Sequence, residues 1–206
     1  MAPTIFLVVL SGLLLASPSY AQRRRKPSPP ESPIDKISAQ ADFNPSQFAG
    51  KWYLVGVASR CSYLRDNSHR LEPVNIMVSV TSTTPPSTLL VNTFRPLDGI
   101  CWNIKQSYPP AKAPGRFLLR GPVNVVVGET DYSSYAIVFY QKSRQISVKL
   151  YGRTVQVSDS IVAKFEQLVA GVGLNEDITY YFPTYGFCES ADQFHVLDET
   201  KLKGTS

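Results

Sequence analysis

The sequence has few of the residues from which most catalytic and metal sites are built. Its 206 residues include only two histidines, His69 and His195, which are far apart in the chain, and three cysteines. Such a set provides too few imidazole and thiolate ligands for a convincing metal site. We also find no catalytic triad, no phosphate-binding glycine loop and no obvious general base. The sequence therefore predicts a protein that is not an enzyme and needs no metal or other cofactor.

Long apolar runs are also scarce, since the sequence has only one, near its N-terminus. Residues 5–16, IFLVVLSGLLLA, form an apolar segment that is too short to span a bilayer comfortably. Small residues follow, and Ser19 and Ala21 fit the pattern that precedes a signal-peptide cleavage site. We therefore expect residues 1–21 to be a secretory signal peptide. The mature protein should then be secreted into the extracellular fluid or plasma, without a segment that inserts into membranes.

Basic charge is concentrated directly after this segment. The sequence QRRRKPSPPESPIDK begins at residue 22 and is rich in proline and serine but poor in apolar residues. Because it has little apolar surface to bury, we expect residues 22–42 to form a flexible arm. Such an arm is either a solvated leader or a weak anchor for anionic partners such as glycosaminoglycans or lipid headgroups. Nucleic-acid binding is not expected, because the charge lacks accompanying aromatic residues for base stacking.

The pattern after residue 43 is that of a β protein. Eight runs rich in valine, isoleucine, tyrosine and phenylalanine are bounded by turn residues; they span 51–59, 74–80, 88–94, 100–108, 115–120, 123–129, 134–141 and 145–152. In the last run Ile146, Val148 and Leu150 alternate with polar residues, which is typical of an antiparallel strand with one buried face. Short connections favour an up-and-down barrel over a Greek-key sandwich. The one long gap is residues 60–73.

Helical spacing replaces the strand pattern after the eighth run. Ile161, Phe165, Leu168 and Val172 form an apolar stripe in the region 158–171. The sequence thus predicts an all-β fold, an eight-stranded antiparallel barrel with one C-terminal helix packed outside it. We assign residues 43–199 to this domain and residues 200–206 to a polar tail.

The three cysteines cannot all pair with one another. They allow three single-bridge pairings, and spacing alone does not select one. Cys61 lies in VASRCSYLRD, where its charged neighbours argue against a buried thiol. In an oxidising compartment, an odd cysteine indicates an interchain disulfide or a reactive thiol.

Three local motifs resemble those of the lipocalin family. NPSQFAGKWY contains Gly50 and Trp52 in the Gly-x-Trp form that opens the first lipocalin strand; ETDYSSY contains Thr130, Asp131 and Tyr132; and Arg153 ends the eighth strand. Together they make the region from about 43 to 195 similar to a lipocalin. The resemblance implies that Trp52 fills the closed end of the barrel and that Arg153 lies across its ring as a cation–π partner.

The resemblance also implies a cavity for one small apolar ligand. Strand alternation suggests a lining made of Leu54, Leu90, Phe94, Phe117, Val125 and Ile137. A register error of one residue would exchange these for their outward-facing neighbours.

In lipocalins the C-terminal segment is commonly joined by a disulfide to the fourth strand, which implies a bridge between Cys101 and Cys188. Several segments, above all YGFCESADQFHVLDE at 185–199, are similar more specifically to lipocalin subunits of the terminal complement system. That resemblance implies a noncatalytic subunit of the membrane attack pathway. Cys61 would then form a disulfide with the alpha chain of a heterotrimer that also contains a beta chain, after noncovalent docking of the 60–73 loop.

A different lipocalin function is also compatible with a loop cysteine. A plasma lipocalin of the alpha-1-microglobulin type would use Cys61 to bind or scavenge small hydrophobic or haem-like compounds. Thiol catalysis, as in the lipocalin-type prostaglandin synthase, is not expected because neither histidine is placed to activate Cys61.

Overall fold

A computed structural model describes residues 31–82 and 87–198 of the chain. The expected signal peptide, the first part of the basic arm and the polar tail at 200–206 lie outside the described residues.

The described strands form one strongly curled sheet. They are β1 (Gly50–Ser59), β2 (Asn75–Val80), β3 (Leu89–Leu97), β4 (Ile100–Tyr108), β5 (Arg116–Leu119), β6 (Val123–Thr130), β7 (Tyr135–Lys142), β8 (Gln145–Gly152), β9 (Thr179–Tyr181) and β10 (Gln193–Val196). Their order is β10-β4-β3-β2-β1-β8-β7-β6-β5, and β9 pairs with β1. Antiparallel pairing of β1 with β8 curls the meander, and a bridge between Pro110 and Phe117 links the β4 side to β5.

The predicted eight-stranded up-and-down barrel is thereby confirmed. The two short strands near the C-terminus were not predicted, and β10 pairs in parallel with β4. Because β1 runs from Gly50 to Ser59, one end of the barrel contains the start of β1. We call this the closed end, and we call the end that carries residues 60–74 the open end.

Three α-helices accompany the sheet in the described ranges: α1 (Pro45–Phe48), α2 (Ser62–Asn67) and α3 (Asp159–Gly171). Short 3-10 segments occupy Pro33–Lys36, Ser68–Arg70 and Glu176–Ile178. The prediction of α3 is confirmed, with its start one residue later than expected. It buries Phe165 and Val169 against the outside of the barrel. Helix α2 lies in the long gap and has no apolar stripe from which it could be predicted.

The apolar residues form two cores, one on each face of the sheet. Trp52, Leu54 and Val91 belong to the core inside the barrel, whereas Ile137 and Phe139 pack under α3. The alternating residues of β8 belong to the outer core: Ile146, Val148 and Leu150 face α3. Their polar neighbours on β8 therefore face the barrel interior.

The predicted flexible arm is wrong for residues 31–42. Ile34 is only 1% exposed and belongs to the outer core. Its backbone N–H donates to Oε1 of Gln141 at 2.9 Å, and Arg116 donates to its carbonyl at 3.2 Å. Burial of one apolar side chain and pairing of its backbone groups therefore order a segment whose composition favours disorder.

Arg153 closes one end of the barrel. Its guanidinium carbon lies 3.7 Å from the centroid of the fully buried Trp52 ring. Its nitrogens donate at 2.9–3.0 Å to four backbone carbonyls, those of Gln47, Ala49, Lys51 and Tyr132. The indole N–H of Trp52 donates to the carbonyl of Phe48 at 2.8 Å. The guanidinium thus joins α1, β1 and the β6–β7 turn to the end of β8.

Gly50 is needed beside this guanidinium for two reasons. Its φ of +101° is a left-handed conformation that favours glycine. A Cβ at this position would also lie 3.0 Å from Nη1 of Arg153. Both residues of the Gly-x-Trp motif therefore contribute to the closed end: Gly50 leaves space for the Arg153 guanidinium, and Trp52 stacks against it.

Replacement of Arg153 by lysine should destabilise the fold by about 2–4 kcal/mol, because an ammonium cannot reach four carbonyls and stack on the indole at once. The free energy of unfolding in urea measures this effect. Arg144→Lys, at the exposed β7–β8 turn, is the matched control and should change stability by less than about 0.5 kcal/mol. Equal losses in the two variants would contradict the closing role of Arg153.

Candidate functional site

Cys61 lies at the open end, directly between β1 and α2. It is exposed, and it is the free cysteine of the described chain. Its backbone N–H donates to Oγ of Ser59 at 3.2 Å, while Arg60 donates to the carbonyl of Gly173 at 2.7 Å. The first bond holds the start of the loop to the end of β1, and the second attaches it to the segment that follows α3. The thiol is therefore presented at a defined position on the rim.

A groove of about 440 Å³ runs past this thiol on the outside of the barrel. It is lined by Arg60 and Arg65 on the loop and by Asn175, Asp177 and Tyr180 on the segment after α3. Arg65 also pairs with Asp66 at 2.9 Å, with both side chains exposed. The groove therefore combines both signs of charge with an exposed thiol.

The other two cysteines form a disulfide. Cys101 on β4 and Cys188 have a Cα–Cα distance of 5.7 Å and are separated by 87 residues. The backbone of Cys101 also exchanges hydrogen bonds with Asp192, one to its carboxylate and one from its N–H, both at 2.8 Å. The disulfide and these bonds place the C-terminal segment against β4, where β10 forms.

The barrel interior has three levels. The upper compartment, about 840 Å³, opens at the rim and is lined by Leu54, Leu71, Arg95 and Lys149 among others. The lower compartment, about 200 Å³, shares Leu54 and Lys149 with it. The floor, lined by Phe117, Val125 and other apolar residues, has only about 10 Å³ of free space.

The structure places half of the predicted lining residues beside the cavity. Leu54 lines the upper and lower compartments, and Phe117 and Val125 line the floor. Leu90, Phe94 and Ile137 are wrong, because they lie on the outer face of the sheet. Leu90 is 39% exposed, and Ile137 is buried under α3.

The physical reason for these errors is the parity of the strands. In β3 the alternate residues Val91, Thr93 and Arg95 line the cavity, so Leu90 and Phe94 must point outward. Alternation divides a strand into two faces, but both faces of this sheet carry apolar residues. The pattern therefore does not say which face is inside.

Two basic residues inside the barrel were not predicted as site residues. Arg95 on β3 and Lys149 on β8 both line the upper compartment and are only partly accessible. Within residues 31–82 and 87–198 neither has an ion pair, and Nε of Arg95 is buried without a hydrogen-bond partner. The Lys149 ammonium lies 4.4 Å from the Tyr140 ring centroid. The sequence did contain a signal for these two residues, because each is a charged residue within a predicted strand.

Burial lowers the pKa of Lys149 to about 8 from an ordinary 10.5, and repulsion by Arg95 adds to this effect. Desolvation disfavours the ammonium, and the cation–π contact with Tyr140 offsets this only in part. Among the described residues, no carboxylate forms an ion pair with either of these two cations.

Three tyrosines separate this charged region from the apolar floor. Tyr108, Tyr140 and Tyr151 line both the lower compartment and the floor. The hydroxyl oxygens of Tyr108 and Tyr140 are 3.4 Å apart. Burial raises the pKa of all three phenols, so they are neutral at physiological pH. They form an uncharged, weakly polar layer across the barrel.

Lys149→Met should stabilise the fold at pH 7, by about 1–3 kcal/mol, and the gain should shrink towards pH 10. Below pH 8 the lysine is charged in both folded and unfolded chains, so the penalty for burying it is complete. Between pH 8 and 10.5 the unfolded chain binds more protons, so the stability of the unaltered protein rises with pH.

Urea unfolding at pH 7, 8.5 and 9.5 measures this difference. Lys142→Met, at the exposed end of β7, is the control and should show no such trend. A stability difference for Lys149→Met that stays constant over this pH range would contradict the burial of a charged amine.

The sequence model of the Lipocalin / cytosolic fatty-acid binding protein family matches residues 49–184. The chain belongs to this family and has the lipocalin fold. It is 46% identical to the complement component C8 gamma chain of Oryctolagus cuniculus, over 94% of this chain and 96% of that protein.

The chain is also similar, at lower identity, to other proteins. The chain is 33% identical to the protein AMBP of Bos taurus over 89% of its own residues, but it spans only 54% of that protein. A solved structure of the siderocalin Ex-FABP, a protein described as having dual ligand specificities, covers 68% of this chain with a TM-score of 0.62 and 23% identity. That likeness supports the fold alone.

Helices that could cross a bilayer are not found in the part of the chain that the structure describes.

Proposed function

We propose that this chain is a secreted, noncatalytic lipocalin subunit of the eighth complement component. Similarity to the gamma chain of that component extends over nearly the full length of both proteins. It includes the C-terminal segment around Cys188, which lies beyond the end of the family match at residue 184. The resemblance therefore includes features that the lipocalin fold does not require.

The position of Cys61 is the observation that carries the proposal. The thiol is exposed beside the outer groove, and it is not among the described side chains that line the upper compartment. A thiol outside the barrel can reach a cysteine of another protein. We propose that Cys61 forms a disulfide with the alpha chain, in a heterotrimer that also contains the beta chain.

Noncovalent docking should precede this bond, because thiol–disulfide exchange requires the sulfurs to approach first. The open end offers a surface for docking, since Tyr63 on α2, Leu97 on β3 and Leu197 after β10 are large apolar side chains exposed at or near the rim. Exposed apolar groups beside a polar groove are typical of protein interfaces.

The barrel interior provides a second role, the binding of a small ligand. The upper compartment has the size of a small-molecule site and opens towards solvent. Catalysis is not proposed, because Cys61 lies outside this compartment and has no described base among its hydrogen-bond partners.

A scavenging lipocalin of the alpha-1-microglobulin type is the second candidate. The 33% identity to the bovine protein AMBP and the free loop cysteine favour it. The higher identity to the complement gamma chain and the outward position of Cys61 favour the first candidate.

Cys61→Ser tests the complement role. Chain mixed with the alpha and beta chains should give a heavier band on a nonreducing gel that reduction resolves into this chain and the alpha chain. The variant should lose that band completely but still co-purify with the partners. Ser62→Ala, one residue away, is the matched control and should keep the covalent band.

A covalent band that persists in Cys61→Ser would contradict the proposal. Heterogeneous coloured adducts on Cys61 of plasma material, with no heavier partner band, would instead support the scavenging function.

A further inference from the structure

The outer face of the sheet is covered unevenly. On the side of β6 to β8, α3 and the segment around Ile34 pack on residues such as Ile137 and Phe139, which are at most 2% exposed. On the other side, Met77 of β2 and Leu90 of β3 are 41% and 39% exposed, and neither belongs to the two cores. They are diagonal neighbours across the β2–β3 pair. We call the outer surface around Met77 and Leu90 the free face.

The C-terminal segment covers the adjoining part of the sheet, nearer the open end. The Phe187 ring centroid lies 5.0 Å from that of Tyr53 on β1, and the next residue, Cys188, is bonded to Cys101 on β4. The segment therefore crosses over β2 and β3, and Asn75 beneath it is only 3% exposed. This side of the sheet thus carries one covering segment, which leaves the free face open.

Two lysines flank the free face. One cross-strand row runs from Lys51 on β1 through Met77 on β2 and on across β3 to Lys105 on β4. Nζ of Lys51 lies 4.9 Å from the Tyr53 ring centroid, and Nζ of Lys105 lies 5.0 Å from that of Phe194. These cation–π contacts keep both ammoniums close to the sheet. Neither lysine forms an ion pair among the described residues.

Negative charge is missing from the strands beneath the free face. Strands β2, β3 and β4 contain no aspartate or glutamate. The carboxylate of Asp192, which lies beside β4, accepts a hydrogen bond from the Cys101 N–H. An acidic partner would therefore meet two cations without a competing carboxylate from these strands. Complementary charge of this kind favours one class of partner over others.

The backbone pairing shows which form of partner fits. Strands β2 and β3 are paired on both edges, so an extended segment laid on the free face would find no backbone groups to pair with. A helix satisfies its own backbone groups, and α3 already packs on the opposite side of the sheet. Strands β1 and β4 are separated by three strand spacings, about 14 Å. A helix with its side chains is about 10–12 Å wide and fits between the two lysines.

We propose that the free face binds an acidic, amphipathic helix of another protein. The helix lies along β2 and β3, its apolar side covers Met77 and Leu90, and carboxylates on its two flanks pair with Lys51 and Lys105. This inference depends neither on the Cys61 disulfide nor on ligand binding inside the barrel.

Three stapled helical peptides of three turns test the proposal. The first has leucines on one side and glutamates on both flanks, the second has lysines in place of the glutamates, and the third has serines in place of the leucines. Fluorescence anisotropy with the isolated chain at pH 7 should show the first peptide binding about tenfold more tightly than either of the others.

Variants then locate the bound peptide. Lys51→Glu combined with Lys105→Glu should reverse the preference, so that the lysine peptide binds about tenfold more tightly than the glutamate peptide. Lys142→Glu combined with Arg144→Glu changes the net charge equally at the open end, and this control should keep the original preference. Leu90→Ser should weaken binding of the glutamate peptide by about tenfold. Thermal unfolding of each variant checks that the barrel is intact.

Several outcomes would overturn the proposal. Equal affinity for the glutamate and lysine peptides, or a reversal in the control variant, would indicate general charge attraction. An affinity that Leu90→Ser leaves unchanged would place the peptide elsewhere, for example inside the barrel. A dimer of the unaltered chain in sedimentation that Leu90→Ser converts to a monomer would assign the free face to a second copy. Absence of binding by the glutamate peptide up to about 1 mM would also contradict the proposal.

Discussion

The contact of Arg153 with Trp52 is the interaction on which the rest of the barrel depends. A curled meander has two ends, and a cavity that opens at one end requires the other to be filled and held. The indole fills the closed end, and the guanidinium covers it while binding four backbone carbonyls from separate segments. Because this end is closed by packing, the floor above it is nearly solid. The open end is then free to carry a loop, a thiol and a cavity.

Segments outside the barrel determine what the interior can contain. Helix α3 and the N-terminal segment around Ile34 pack on the outer face of the sheet, and the disulfide-bound C-terminal segment extends the sheet at β4. The apolar residues of β8 are used on that outer face, beneath α3. Polar and charged residues of β8 such as Lys149 can therefore face inward without loss of the core beneath α3. The polar face of β8 is thus free to line the upper compartment, while the apolar core inside the barrel lies nearer the closed end.

The same division explains the different roles of the cysteines. The Cys101–Cys188 bridge joins the C-terminal segment to β4 and closes a loop of 87 residues, a long separation for which chain-entropy arguments expect large stabilisation. Cys61 lies where the chain leaves the barrel wall, and its backbone is held while its thiol stays exposed. One bridge thus serves the fold, and the remaining thiol is available for assembly with another chain.

Local patterns in the sequence determined the eight strands of the barrel and the place of α3, because hydrophobic period and turn residues act over a few positions. They also determined that one cysteine must lack an intrachain partner. Tertiary structure decided which face of each strand is inside. Alternation separates the two faces of a strand, but it does not say which one points into the barrel until distant strands pair and α3 covers one side. Leu90, Phe94 and Ile137 were misplaced for this reason. It also decided that the segment around Ile34 packs against the barrel and that Arg95 and Lys149 line the same compartment, because both depend on parts of the chain that are distant in sequence.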